Sequence, residues 1–127
     1  MTDYRTDLSK VRGLGAAKKG VGTYMAQRVS AVALAALLPF FVYGLLCALP
    51  DGYDGLKAWV SSWSGALLIA GFITAALYHG RLGVAEIIND YIPRPGARAF
   101  WLLINTLLAL FVWALGLFAL LKIWLGA

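Results

Sequence analysis

The sequence is poor in the residues on which soluble enzymes most often depend. It contains one histidine and one cysteine, and only 13% of its residues are charged. Because Cys47 is the single cysteine, an intrachain disulfide and a cysteine-rich metal site are excluded. It lies within an apolar run. Soluble domains are roughly a quarter charged. The scarcity of charge therefore argues against a soluble fold.

The sequence is correspondingly rich in apolar residues. They make up 61% of the 127 residues, and the mean hydropathy is +0.78. Three charge-free stretches, 29–49, 58–80 and 99–121, each reach the roughly 20 residues that a helix needs to cross the hydrocarbon core. They lack the alternation that is typical of barrel strands.

These stretches predict an all-α integral membrane protein, a bundle of three transmembrane helices that packs with a partner subunit. The helices are predicted at about 28–49, 59–91 and 98–124, within a single membrane-anchor domain covering 1–127. The polar lead-in is long, so we interpret the first stretch as a retained span and not as a cleavable signal. Proline and glycine in "ALPDGYDGLKAW" predict a loop between the first two helices.

Basic residues are unevenly placed, and the formal net charge is +5. The segment 1–27 and the loop with Arg94 and Arg98 are both rich in them. Basic residues beside a span are a topology signal, so we predict no nucleic-acid partner. Both basic segments are predicted to be cytoplasmic, and the C-terminus lies across the membrane. The N-terminal segment is expected either to lie on anionic headgroups or to dock a cytoplasmic partner.

The second predicted helix carries the histidine on a strip of small residues. At about 100° per residue, Gly71, Ala75, His79 and Gly83 share one face. Small residues at this spacing let another helix or a flat cofactor approach the backbone. The alternatives are close helix packing with a hydrogen-bonded imidazole, an axial haem ligand, a proton relay or a substrate contact.

Among these alternatives, haem fits best. Imidazole is a strong axial ligand, and ionisable groups inside a membrane are usually functional. One histidine cannot supply both axial ligands, so the second must come from another polypeptide or a second copy.

The same helix is predicted to end at the membrane interface in Asp90 and Tyr91. A phenol there can donate a hydrogen bond to a quinone carbonyl, and a neighbouring carboxylate can pass protons. The alternative is a tyrosine that anchors the interface beside a solvated carboxylate.

Three segments and the order of the spans carry a resemblance. The segments "RGLGAAKKG", "QRVSAVAL" and "YHGRLGVAEIINDYI" resemble the hydrophobic membrane anchor subunits of succinate dehydrogenase, respiratory complex II, of the bacterial type close to the mitochondrial one. The resemblance implies that His79 is an axial ligand of haem b, with the second ligand on a partner cytochrome b subunit. It implies that Tyr91 donates a hydrogen bond to ubiquinone beside Asp90. It also implies that Arg28 faces a haem propionate or the docked subunits.

The resemblance further implies that flavoprotein and iron–sulfur subunits dock on the cytoplasmic side of a bacterial inner membrane. The chain carries no flavin or cluster motif, so it would be non-catalytic on its own. The segment "TYMAQR" departs from the expected pattern before the first helix. Two rivals stay open: the anchor of a related quinol:fumarate reductase, and a small non-haem transporter or assembly protein that uses His79 and Glu86 as a proton relay.

Overall fold

The computed structural model describes residues 6–13 and 20–126, and these residues form helices and short connections without a strand. In chain order the helices are α1 (Asp7–Val11), α2 (Gly20–Ala48), α3 (Gly52–Ser61), α4 (Trp63–Tyr91) and α5 (Pro95–Trp124), with a 3-10 turn at Leu49–Asp51. Helices α2, α4 and α5 provide three segments long and apolar enough to cross a membrane. The prediction of an all-α protein with three transmembrane helices is confirmed.

Local sequence sets both ends of α4. At its start, the Ser62 side-chain oxygen accepts a hydrogen bond of 3.1 Å from the backbone N–H of Gly65 and caps the helix. At its end, Ile92 adopts an extended conformation before Pro93, as residues preceding proline prefer. The 29 residues of α4 span about 43 Å at 1.5 Å per residue, which exceeds the hydrocarbon core of about 30 Å.

The connection between the first two spans is helical, where a loop was predicted. After the 3-10 turn, Gly52 adopts a positive φ of 60°, which glycine tolerates without strain, and α3 follows at once. Leu56, Trp59 and Val60 on α3 are half-buried, whereas Lys57 is exposed. Turn-forming residues predicted the break in α2 correctly, but they concealed this short amphipathic helix.

Helix α4 lies between the other two spans and packs against both. Phe72 of α4 stacks on Phe41 of α2 with ring centroids 4.4 Å apart. At the far end, Trp63 approaches Trp124 of α5 with centroids 6.0 Å apart. The histidine of α4 is thus held on a helix whose position is fixed from two sides.

The chain has little interior of its own. Among the described residues, the buried apolar side chains are Ala48, Leu82, Ile88 and Leu120. Large apolar side chains on α5, such as Leu108, Phe111 and Phe118, are mostly exposed. Exposed apolar surface of this extent must contact lipid or other polypeptides.

Candidate functional site at the α2–α4 interface

The histidine predicted to be functional is held by a serine from the neighbouring helix. Nδ1 of His79 and Oγ of Ser30 lie 3.0 Å apart, across the interface between α4 and α2. Ser30 is the one buried polar residue of the described chain. The imidazole is therefore held at Nδ1. On this side of the ring, His79 makes the interhelical hydrogen bond expected from close helix packing.

The hydrogen bonds of Ser30 are compatible with a neutral imidazole that binds a metal through Nε2. The Ser30 hydroxyl donates to the backbone carbonyl of Gln27 over 3.0 Å. A hydroxyl has a single proton, so with that proton on Gln27 the Ser30 oxygen can accept from Nδ1–H of His79, in the tautomer that carries its proton there. In that tautomer Nε2 keeps a lone pair that can bind a metal.

A groove borders Ser30, although His79 itself is not among the residues that line it. It has a volume of about 630 Å³, runs between α2 and α4 and reaches Leu117 of α5. Its walls include Ser30 and five small residues, Ala26, Ala33, Ala70, Gly71 and Ala75. The predicted strip of small residues on α4 thus lines open space at Gly71, two turns before His79, and at Ala75, one turn before it.

The residues present fit a haem axial ligand. Metal-binding histidines usually donate the other ring N–H to a fixed acceptor, which orients the ring, and Ser30 provides that acceptor here. No group of three or more His, Cys, Asp or Glu side chains in the described part of the chain could hold a metal ion.

The other predicted site residues lie at the C-terminal end of α4 and on α2. Asp90 and Tyr91 are the last two residues of α4, and Tyr91 is 80% exposed. Tyr91 follows His79 by twelve positions, which corresponds to about 18 Å along the helix axis. Arg28 on α2 is exposed, and its guanidinium lies 5.1 Å from the ring centroid of Tyr24. The described contacts do not join Arg28 to Asp90 or Tyr91.

Among the described residues, no hydrogen bond joins Glu86 to His79, the two residues considered as a possible relay. Glu86 lines a crevice of about 430 Å³, together with Gln27 and Asn89. The side-chain oxygen of Gln27 is buried without a hydrogen-bond partner among the described residues. The hydrogen-bond partner of His79 is Ser30, which the relay interpretation did not include.

Two groups of polar contacts were missed from the sequence. Ser30 is one; the only available signal was a lone polar side chain in the apolar run between Val29 and Phe41. The second group joins α4 to α5, where the Asn105 side-chain amide donates to the Arg81 carbonyl over 2.9 Å. The sequence places Arg81 two residues after His79 but carries no signal for its partner on α5.

Comparison with known proteins places the chain in a family. Residues 2–114 match the family described as succinate dehydrogenase/fumarate reductase transmembrane subunit. The succinate dehydrogenase hydrophobic membrane anchor subunit of Paracoccus denitrificans is 31% identical over 124 residues, 98% of this chain and 95% of that protein. The protein of the same description from Rickettsia conorii is 29% identical over 93 residues, 71% of this chain and 72% of its own. No solved structure shows significant similarity. The chain therefore belongs to the family of succinate dehydrogenase and fumarate reductase transmembrane subunits, as a hydrophobic membrane anchor.

Proposed function

We propose that the chain anchors a succinate:quinone oxidoreductase in the membrane, co-ligates haem b through His79 and forms part of the ubiquinone site. One observation carries the haem assignment: Ser30 engages Nδ1 of His79 beside a groove lined by small residues. That arrangement supports Nε2 as the iron ligand. The family and the names of its relatives support the anchoring role.

Each residue of the haem site has a separate task in this proposal. His79 would bind the haem iron through Nε2, and Ser30 would hold the ring plane so that Nε2 keeps one direction. Ala70, Gly71 and Ala75 leave the backbone of α4 open to a flat group. Bound haem would supply one-electron transfer, with a potential set by its ligands and surroundings. A cytochrome b subunit would provide the second ligand.

Tyr91 and Asp90 are the proposed contribution to quinone reduction. The exposed phenol of Tyr91 donates a hydrogen bond to a quinone oxygen, and this bond strengthens as negative charge develops there during reduction. The Asp90 carboxylate beside it supplies protons from the aqueous side. Arg28, on the neighbouring helix, would provide a positive charge for a propionate or for a docked subunit.

The soluble subunits are expected at the basic end of the molecule. Arg94 lies between α4 and α5, Arg98 lies in the first turn of α5, and the N-terminal segment is also basic. Positive charge concentrates on the cytoplasmic side of inner-membrane proteins. The iron–sulfur and flavoprotein subunits would dock there, close to Tyr91, in a bacterial inner membrane.

His79→Ala tests the proposed function in the purified complex. We expect loss of haem b with the dehydrogenase subunits still bound, because the imidazole is a ligand and not a docking contact. The measurements are the reduced-minus-oxidised spectrum and the haem content per complex. Gly80→Ala is the matched control, since an added Cβ there meets nothing within 4 Å. A full haem content with an unchanged spectrum in His79→Ala would remove His79 as a ligand.

A further inference from the structure

Arg81 is a cation on α4 that the proposed site does not use. It follows His79 by two residues, about 200° around the helix, and so it points away from the imidazole. Its Nη1 donates to the Thr106 hydroxyl of α5 over 3.2 Å, and its guanidinium lies 5.8 Å from the Tyr78 ring centroid. Within the described part of the chain, no carboxylate pairs with it. Since a guanidinium carries five N–H donors, most remain available to a ligand.

A groove begins at this guanidinium and runs along the seam between α4 and α5. Its volume is about 320 Å³, and its walls include Leu77, Ala109, Leu110 and Trp113. The polar groups of the far wall are satisfied internally: Trp113 Nε1 donates to Thr74 Oγ1 over 3.0 Å, and Thr74 donates to a backbone carbonyl. The groove is therefore apolar along its length, with a cation at one end.

The depth of Arg81 matches the edge of the hydrocarbon core. A core of about 30 Å corresponds to roughly 20 helical residues. Counted from Trp63 at the far end of α4, this length reaches the neighbourhood of Leu82. Counted back from Lys122 on α5, it reaches the neighbourhood of Leu102. Arg81 thus lies where lipid headgroups begin, at the end of the molecule that also carries Arg94 and Arg98.

We propose that this groove binds an anionic phospholipid, with the phosphate on the Arg81 guanidinium and one acyl chain along the seam. Charge complementarity argues for this occupant, because arginine matches phosphate through two parallel hydrogen bonds. Basic pockets between transmembrane helices recognise lipid headgroups in the same way. The proposal depends on membrane insertion alone and is independent of the haem and quinone assignments.

Native mass spectrometry of the complex that contains the full chain tests the proposal. The complex is placed in phosphatidylcholine nanodiscs with increasing phosphatidylglycerol, and the lipids retained per complex are counted. We expect one preferentially retained phosphatidylglycerol, and a loss of that preference of about tenfold or more in Arg81→Gln. Arg81→Lys should retain part of it, and Lys122→Gln, a charge change at the other end of α5, should retain all of it. Equal preference in the parent and in Arg81→Gln would overturn the proposal.

Two further variants keep the test decisive if Arg81→Gln assembles poorly. Ala109→Leu fills the groove without changing any charge, and it should also expel the retained lipid. A photoreactive residue at Leu110, which lines the groove, should become cross-linked to lipid. Cross-linking to a partner polypeptide instead, or unchanged lipid retention in Ala109→Leu, would contradict the proposal.

Discussion

Serines in membrane helices usually return their hydroxyl proton to a carbonyl of their own helix, and Ser30 does so to Gln27. What distinguishes Ser30 is that its oxygen also meets Nδ1 of His79. The serine thereby transmits the backbone geometry of α2 to the orientation of an imidazole on α4. Ser30 would thus orient the proposed iron ligand without binding the iron itself.

Ser30→Ala should weaken haem binding without removing the ligand. Losing such a supporting hydrogen bond typically lowers metal affinity 10- to 100-fold, so we expect haem to leave the purified complex at least about tenfold faster. Transfer of haem to an excess of apomyoglobin measures that rate. Ser30→Thr keeps the hydroxyl and should stay near the parent. Equal rates in the parent and in Ser30→Ala would show that Ser30 has only a packing role.

Tyr91→Phe isolates the phenolic hydroxyl, because it keeps the ring and removes only the donor. A donor to a developing oxyanion contributes on the order of a hundredfold in rate. We therefore expect about that loss in succinate-to-quinone electron transfer, with assembly, haem content and succinate oxidation by soluble acceptors unchanged. Asp90→Asn should be milder, since water can partly replace a carboxylate at an interface. Parental rates at all quinone concentrations would make Tyr91 an interfacial anchor only.

The face of His79 could be predicted from the sequence, but its hydrogen-bond partner could not. Helical periodicity placed Gly71, Ala75 and His79 on one strip, and two of these residues line the groove. Ser30 is 49 residues away in sequence. Periodicity describes one helix at a time, so it says nothing about which residue of α2 faces His79. That information requires the relative rotation of the two helices, which their packing determines.

At the scale of elements, α3 packs closely against α2 because Gly44 has no side chain and leaves room for the Trp59 ring. A Cβ added at Gly44 would lie 2.6 Å from Cζ2 of Trp59, which is too close for any real contact. The indole therefore covers the backbone of α2 at this point. Trp59 also approaches Phe41, with ring centroids 5.8 Å apart. This aromatic contact fixes the short helix that the sequence did not reveal.

Gly44→Ala should force α3 away from α2. Overpacking against a rigid ring costs typically about 1–3 kcal/mol, and we expect a loss of that order in the free energy of unfolding. Unfolding in mixed micelles, followed by tryptophan fluorescence, measures it. Gly22→Ala is the control on the same helix, because an added Cβ there meets nothing within 4 Å. A Gly44→Ala variant as stable as the control would contradict this packing.

The long helices were predictable because hydropathy over about 20 residues is a strong signal. Helix α3 was not, because Pro50, Gly52 and Gly55 favour a turn when they are considered one at a time. The structure places Pro50 in the 3-10 turn and Gly52 at the start of α3. Gly55 lies where a Cβ would collide with the carbonyl of Ala48. These residues allow the chain to turn sharply and begin a new helix. Sequence composition does not distinguish such a turn from a loop.

For the whole molecule, charge asymmetry predicts the orientation. With the basic N-terminal segment and the α4–α5 connection in the cytoplasm, three spans carry the C-terminus to the other side. Alkaline phosphatase fused after Ala127 should therefore be active, and a green fluorescent protein fused at the same place through the Sec pathway should stay dark. The reverse pattern would contradict the proposed orientation. A fusion in the connection between α4 and α5, at Arg94, supplies the opposite control.

Because so few side chains are buried, few positions of this chain are constrained by close packing. Outward positions on α5 that face lipid need only remain apolar, whatever their shape. The chain is therefore free to diverge rapidly across its lipid-facing surface while it keeps the same three spans. Substitutions should be accepted slowly at contacts between helices, such as the Ser30–His79 contact and the approach of Trp59 to Gly44. In distant relatives of this anchor, the residues at contacts between helices would then be more similar than the residues that face lipid.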